Sequence, residues 1–255
     1  MLRIIIILIF LFHLSLTTTI ITTNNKTLSN KIGSIQINRI NYKRCGEIII
    51  GNQKYNIAFN LGSTDFWVVN DELSSFKLLN KTGNIKDAGT KGSLVKDTLI
   101  IGDITIKNIS FVVVPTIPAA FVNNFKTDGV LGLSSTSDMN INSPIQYLTK
   151  YIENPIFTIF TKSNGELALP SQNGKNVGKI TFGAEDNDNC ESYNYVPLSE
   201  RPNLITALGD CRLLIADSVM MGYDNGWFMG AQFFENRCIA MNWKDGTIGF
   251  ADAKN

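Results

Sequence analysis

The sequence is short of the residues that build most metal and nucleotide sites. It holds one histidine, His13, and no zinc-ligand spacing, and no glycine loop has phosphate-binding form. Those absences leave zinc hydrolases and nucleotide-driven enzymes without a foothold, and no metal or cofactor is expected. Charge of one sign is also lacking: the net charge is +1, which gives no reason to expect a nucleic-acid or membrane-surface partner. What is present is ordinary for a globular chain. With 255 residues, 44% hydrophobic and 18% charged, it can bury one large core or two small ones.

His13 lies in an N-terminal segment that reads as a signal peptide over residues 1–19. Arg3 supplies the charge, residues 4–16 are an apolar run, and Thr17, Thr18 and Thr19 follow. A run of that length is too short to cross ~30 Å of hydrocarbon at about 1.5 Å per residue. The reading implies a secreted or lumenal protein with no membrane span after cleavage, although no A-x-A cleavage pattern is present. In an oxidising compartment Cys45, Cys190, Cys211 and Cys238 suit two disulfides. Three pairings are open, and the C-terminal clustering favours Cys211 with Cys238, leaving Cys45 with Cys190. Asn25, Asn80 and Asn108 each open an Asn-x-Ser/Thr acceptor for glycosylation.

The chain then reads as strands. Residues 32–40 alternate; Glu47-Ile-Ile-Ile-Gly51 and Lys54-Tyr-Asn-Ile-Ala-Phe59 form a hairpin around Gly51-Asn52. Residues 94–101, 104–106 and 109–114 are β-branched runs broken by Gly102-Asp103 and Lys107-Asn108, both read as turns. One helix is expected from Ser143-Pro144, with serine as N-cap, Ile145, Leu148 and Ile152 on one face, and Asn154-Pro155 as the stop. Residues 161–178 read as a loop or insertion, and Lys244-Asp-Gly-Thr as a hairpin turn.

Five motifs in order carry a resemblance. Phe59-Asn60-Leu61-Gly62-Ser63-Thr64 with Trp67-Val68, Asp128-Gly-Val-Leu-Gly-Leu133, Lys179-Ile-Thr-Phe-Gly183, Tyr195-Val-Pro-Leu, and Gly226-Trp-Phe-Met-Gly230 with the closing hairpin resemble pepsin-like aspartic proteases. The resemblance covers roughly residues 40–255. It implies an all-β acid-protease fold: residues 20–40 as an extension and first strand, residues 41–162 as one fairly complete β-barrel lobe, and residues 163–255 as a shortened second lobe. Gly62, Ser63, Thr64, Trp67, Gly132 and Gly230 would then be scaffold positions of the active-site loops.

Where the family carries its first catalytic aspartate, this chain has Asn60. Such enzymes use two carboxylates sharing one proton, one acting as base on water. An amide offers an acceptor oxygen and two donor hydrogens but cannot take up that proton. The second loop is expected to be deleted. Asp217-Ser-Val is a weak second candidate, with Val219 where glycine should stand, and the 211–215 segment reads better as a cysteine-bearing strand ahead of Trp227. The family's flap tyrosine is missing too: no tyrosine occurs between Tyr55 and Tyr147, and Ile85 falls near its place, with the flap hairpin continuing through residues 88–92 and 96–98. Asp65 reads as a turn residue. The expectation is a homologue without a competent catalytic residue, retaining a cleft for extended peptides or unfolded segments. The alternative is an aspartic endopeptidase whose sequence is incomplete.

Overall fold

A computed structural model describes residues 31–40, 43–85, 89–117, 127–134, 143–152, 154–162, 176–197, 205–207, 215–217 and 227–254. The 1–19 segment, Asn25, Cys211 and the 163–175 stretch lie outside them.

Among the described residues the fold is all-β with one short α-helix. The strands are β1 (Gly33–Ile40), β2 (Lys43–Ile50), β3 (Gln53–Asn60), β4 (Phe66–Val69), β5 (Lys77–Ile85), β6 (Thr90–Ile101), β7 (Ile104–Val114), β8 (Gly129–Gly132), β9 (Ile156–Thr161) and β10 (Asn176–Phe182). They continue with β11 (Asn194–Pro197), β12 (Ile205–Ala207), β13 (Ile215–Asp217), β14 (Trp227–Gly230), β15 (Arg237–Asn242) and β16 (Thr247–Asp252). The helix α1 is Pro144–Leu148.

Thirteen strands make one sheet in the order β11-β16-β15-β9-β10-β1-β2-β3-β8-β4-β7-β6-β5. An extra pairing of β2 with β6, through Ile49–Ile100 and Ile50–Leu99, closes β2, β3, β8, β4, β7 and β6 into a six-stranded barrel. Period-2 alternation explains its filling: Ile48, Ile50, Ile57, Phe66, Val68, Leu99, Ile101, Phe111 and Leu131 are buried in one continuous core. Beyond the barrel, β1 pairs with β2 on one side and β10 on the other, and β9 carries the sheet on to β15. Phe157 on β9 stacks near Trp243 at 4.7 Å, so this extension has apolar cover of its own.

Several local expectations need adjusting. The Gly51-Asn52 turn forms, with Gly51 at φ 59°. Gly102 turns the chain at φ 52°, but Lys107-Asn108 does not end a strand. The ladder shifts between Asp97–Ile109 and Leu99–Ile106, so the pair is a bulge inside β7, with Asn108 at φ 57°. The helix stops at Leu148, earlier than expected, though Ile145, Leu148 and Ile152 are all buried. Ser143 makes no side-chain cap; its Oγ donates instead to the Ser134 carbonyl at 2.9 Å. Asn80 and Asn108 are both exposed, at φ 53° and 57°.

The disulfide pairing is corrected. Cys190 bonds Cys238, which rules out both Cys211–Cys238 and Cys45–Cys190. The reason is the C-terminal ladder: Cys238 on β15 faces Ala251, and Cys190 bridges Ala253 two residues farther on, bringing the two Cα atoms to 5.9 Å. Cys45 is buried beside Ala58 in the barrel wall.

Around this bridge lies a polar cluster. Lys179 Nζ meets the buried Asp186 carboxylate at 2.9 Å, and Asn189 Nδ2 donates to both Asp186 oxygens. Burial first, then the charges of Asp186 and Glu185, push the Tyr193 hydroxyl well above its ordinary value. Burial and a 2.6 Å hydrogen bond to Glu185 do the same for Tyr195. Raised phenol values mean that the fold favours the neutral form, so their stabilising contribution is intact below pH ~10 and is lost as pH rises toward the folded values. Urea midpoints of the wild type should therefore fall between about pH 10 and 11.5 by more than those of Tyr193→Phe/Tyr195→Phe. Equal slopes would sink this prediction.

The segment before Trp227 also differs from expectation. It supplies β12 and β13, which flank β14 in a separate sheet of order β12-β14-β13, so it holds two strands where one was read from the sequence.

Candidate functional site

Asn60 is the last residue of β3, and β8 runs parallel to β3 so that Asn60 stands opposite Gly132. The chain leaves β3, turns through residues 61–65, and returns as β4 on the other flank of β8. The loop thus wraps the end of β8. Three backbone hydrogen bonds fix it there: Leu133 N–H to Asn60 carbonyl at 2.8 Å, Gly132 N–H to Asp65 carbonyl at 2.7 Å, and Ser134 N–H to Ser63 carbonyl at 2.9 Å.

Two side chains hold the loop from within. Asn60 Oδ1 accepts from the Gly62 N–H at 3.0 Å, and Ser63 Oγ accepts from the Asp65 N–H at 3.0 Å. The amide oxygen can fill an accepting role that needs no negative charge, so the loop keeps its turn without a carboxylate. Gly132 has no alternative: a Cβ there would lie 2.4 Å from the Ser63 carbonyl and 2.7 Å from Asp65 N. Asn60, Gly62 and Thr64 are half-buried, while Ser63 and Asp65 are buried. Asp65 serves the turn through its backbone on both sides.

Trp67 is wholly buried in a second, smaller cluster with Cys45, Ala58, Ile85, Leu94, Val112 and Val130. Ile85 ends β5 opposite Thr90 in the hairpin that would form the flap, and its side chain is 1% exposed. An aliphatic group buried there offers no hydroxyl to a ligand. Gly230 closes β14, opposite Ala207. Asp217, on the neighbouring strand β13, pairs with Trp227 at the other end of β14, so the structure does not bring it to the Gly230 end. Among the described residues no group of three or more His, Cys, Asp and Glu could hold a metal ion.

Two supports of the site are absent from the sequence reading. Asp128 takes the Asn56 N–H on its carboxylate at 2.7 Å and returns its own N–H to the Asn56 carbonyl, docking the start of β8 on β3. Ser143 fixes residue 134 just past the loop. The Asp-Gly pair at 128–129 was a visible signal for the first; nothing in the spacing of Ser134 and Ser143 marks the second.

Chemically, the loop presents amide and hydroxyl groups around a tight backbone turn. It can donate and accept hydrogen bonds, and Asn60 supplies no base.

The family model described as eukaryotic aspartyl protease matches residues 41–213. Aspergillopepsin-1 of Aspergillus fumigatus (strain CBS 144.89 / FGSC A1163 / CEA10) is 26% identical over 210 residues, which cover 68% of this chain and 53% of that protein. Penicillopepsin-1 of Penicillium rubens is 26% identical over 209 residues, 68% of this chain and 52% of its own. Aspartic proteinase oryzasin-1 of Oryza sativa subsp. japonica is 23% identical over 200 residues, covering 68% and 38%. The chain spans about half the length of the first relatives it matches. With a family match across more than half of its residues, a closed six-stranded barrel, and a loop at residues 60–65 wrapped round a glycine strand end, the chain belongs to the eukaryotic aspartyl protease family, with the pepsin-like fold.

Proposed function

We propose that this protein is a non-catalytic member of its family, a secreted pseudoprotease that binds extended peptide segments or acts as a decoy. The observation that carries the reading is Asn60: it stands at the end of β3 with its amide oxygen committed to the Gly62 N–H. A general base must accept a proton from water, and an amide does not. The flap position supports it, because Ile85 is buried and apolar. Peptide capture needs backbone donors and acceptors along an extended groove, which survive loss of the carboxylates. Secretion is supported by the apolar N-terminal run, by the Cys190–Cys238 bridge, and by the exposure of Asn80 and Asn108 at their acceptor triplets.

The test is cleavage of denatured protein at acid pH. Both the wild type and Asn60→Asp should stay at the no-enzyme background, while calorimetry with unfolded peptides should register binding. Wild-type cleavage blocked by an aspartic-protease inhibitor would overturn the reading. It would favour the alternative, an aspartic endopeptidase of which this sequence is a part, which the half-length match to the relatives supports.

A further inference from the structure

We infer that Ala207 holds, in the second half of the chain, the place that Asn60 holds in the first, so that both positions of the paired site lack a carboxylate. The inference rests on the family reading and deepens the non-catalytic one. Its basis is strand register.

In the barrel, β8 lies between β3 and β4, parallel to the first and antiparallel to the second. In the three-stranded sheet, β14 lies between β12 and β13, again parallel to the first and antiparallel to the second. Each central strand ends on a glycine, and the partners at that end are Asn60 with Gly132 and Ala207 with Gly230. Counting back from the glycines, the antiparallel pairs also correspond. Ile215–Met229 matches Phe66–Leu131, Ala216–Phe228 matches Trp67–Val130, and Asp217–Trp227 matches Val68–Gly129. No shift is needed in either ladder, and the connection from Ala207 to Ile215 is two residues longer than that from Asn60 to Phe66. Parallel pairing of such short strands is uncommon without a long crossover, so the repeated order is an architectural match and not a hairpin coincidence.

The sequence agrees with the register. Leu208-Gly209 follows Ala207 as Leu61-Gly62 follows Asn60, and the family match runs through residue 213. On this register the second motif is kept in the sequence with its acid replaced, an alternative to the deletion read above. Asp217 takes the place of Val68, a core position of β4.

The chemical consequence is specific. Two carboxylates that face each other share one proton, and neither alone supplies both acid and base. Asn60→Asp would create a solitary carboxylate whose counterpart position carries only a methyl group, whereas Asn60→Asp/Ala207→Asp would recreate the pair.

The full chain should be prepared as both single variants and the double variant, and the new carboxyls followed by carbon NMR titration. We expect one titration step near the ordinary aspartate range in each single variant. In the double variant the two steps should be separated by more than about one pH unit, with one raised. Two carboxyls titrating in the double variant as they do singly would overturn the assignment. Should the double variant fail to fold, Asn60→Asp/Ala207→Asn serves: an amide at position 207 that donates to the carboxylate introduced at position 60 lowers its titration point relative to Asn60→Asp alone, and an unchanged value overturns the assignment. Acid cleavage by the unaltered chain would instead sink the non-catalytic reading, and the titration would still decide the place of Ala207.

Discussion

Replacing Cys238 with alanine is expected to lower the unfolding free energy by about 4 kcal/mol, the chain-entropy value for a bridge spanning 48 residues. Against the roughly 5–15 kcal/mol that typical domains possess, such a loss is a large share of the total. The bridge is placed to matter. Cys190 and Cys238 are buried with Phe160. Their link clamps the loop after β10 onto the β15–β16 ladder, where Glu191 N–H also reaches the Asp252 carbonyl and Lys254 N–H the Asn189 carbonyl. Urea unfolding of Cys238→Ala, and of the wild type with and without reductant, would measure the effect. A loss under about 1 kcal/mol would mean that the strand ladder alone holds this edge.

Trp67→Ala is the second large effect, at about 3–5 kcal/mol. The indole is fully buried and is the largest such side chain among the described residues. Phe66 and Val68 point into the main barrel core, so period-2 alternation sends Trp67 to the opposite face, where Ile85, Val112 and Val130 pack round it. The backbone there has little slack, because Gly129 lies so near the Trp67 carbonyl that an added Cβ would come within 2.1 Å. A cavity on that face cannot be closed by moving β8, since β8 is wedged between β3 and β4. The same urea titration reads this variant, and a change below about 1.5 kcal/mol would show that the wall collapses freely.

Much of the barrel was legible because its code is local. Alternation placed β1, the hairpin around Gly51-Asn52 placed β2 and β3, a β-branched run placed β6, and Gly51 and Gly102 marked turns that form at positive φ. Lys107-Asn108 misled because a polar pair breaks a hydrophobic run equally well at a turn or a bulge; the difference lies in the partner strand, where Asp97 and Leu99 decide it. The disulfide was hidden for a related reason. Which cysteines meet depends on the register of β15 against β16, and spacing along the chain carries no trace of it. The loop around Asn60 could be read from Gly62, Ser63 and Trp67. Its counterpart could not, because Ala207 and Leu208 stand where a reader looks for Asp and Thr, and a three-residue strand has too few positions to show a period.

The place of β1 has a consequence for how the protein is made. Its first residue, Gly33, pairs with Phe182, about 150 residues later in the chain. At a synthesis rate of about 5–20 residues per second, the outer edge of β1 waits roughly 7–30 seconds for β10 to emerge. Throughout that interval an edge carrying Ile35 and Ile37 is open to any passing strand. Newborn chains should therefore depend on holding chaperones during translation, a dependence that grows when elongation is slowed between residues 40 and 182.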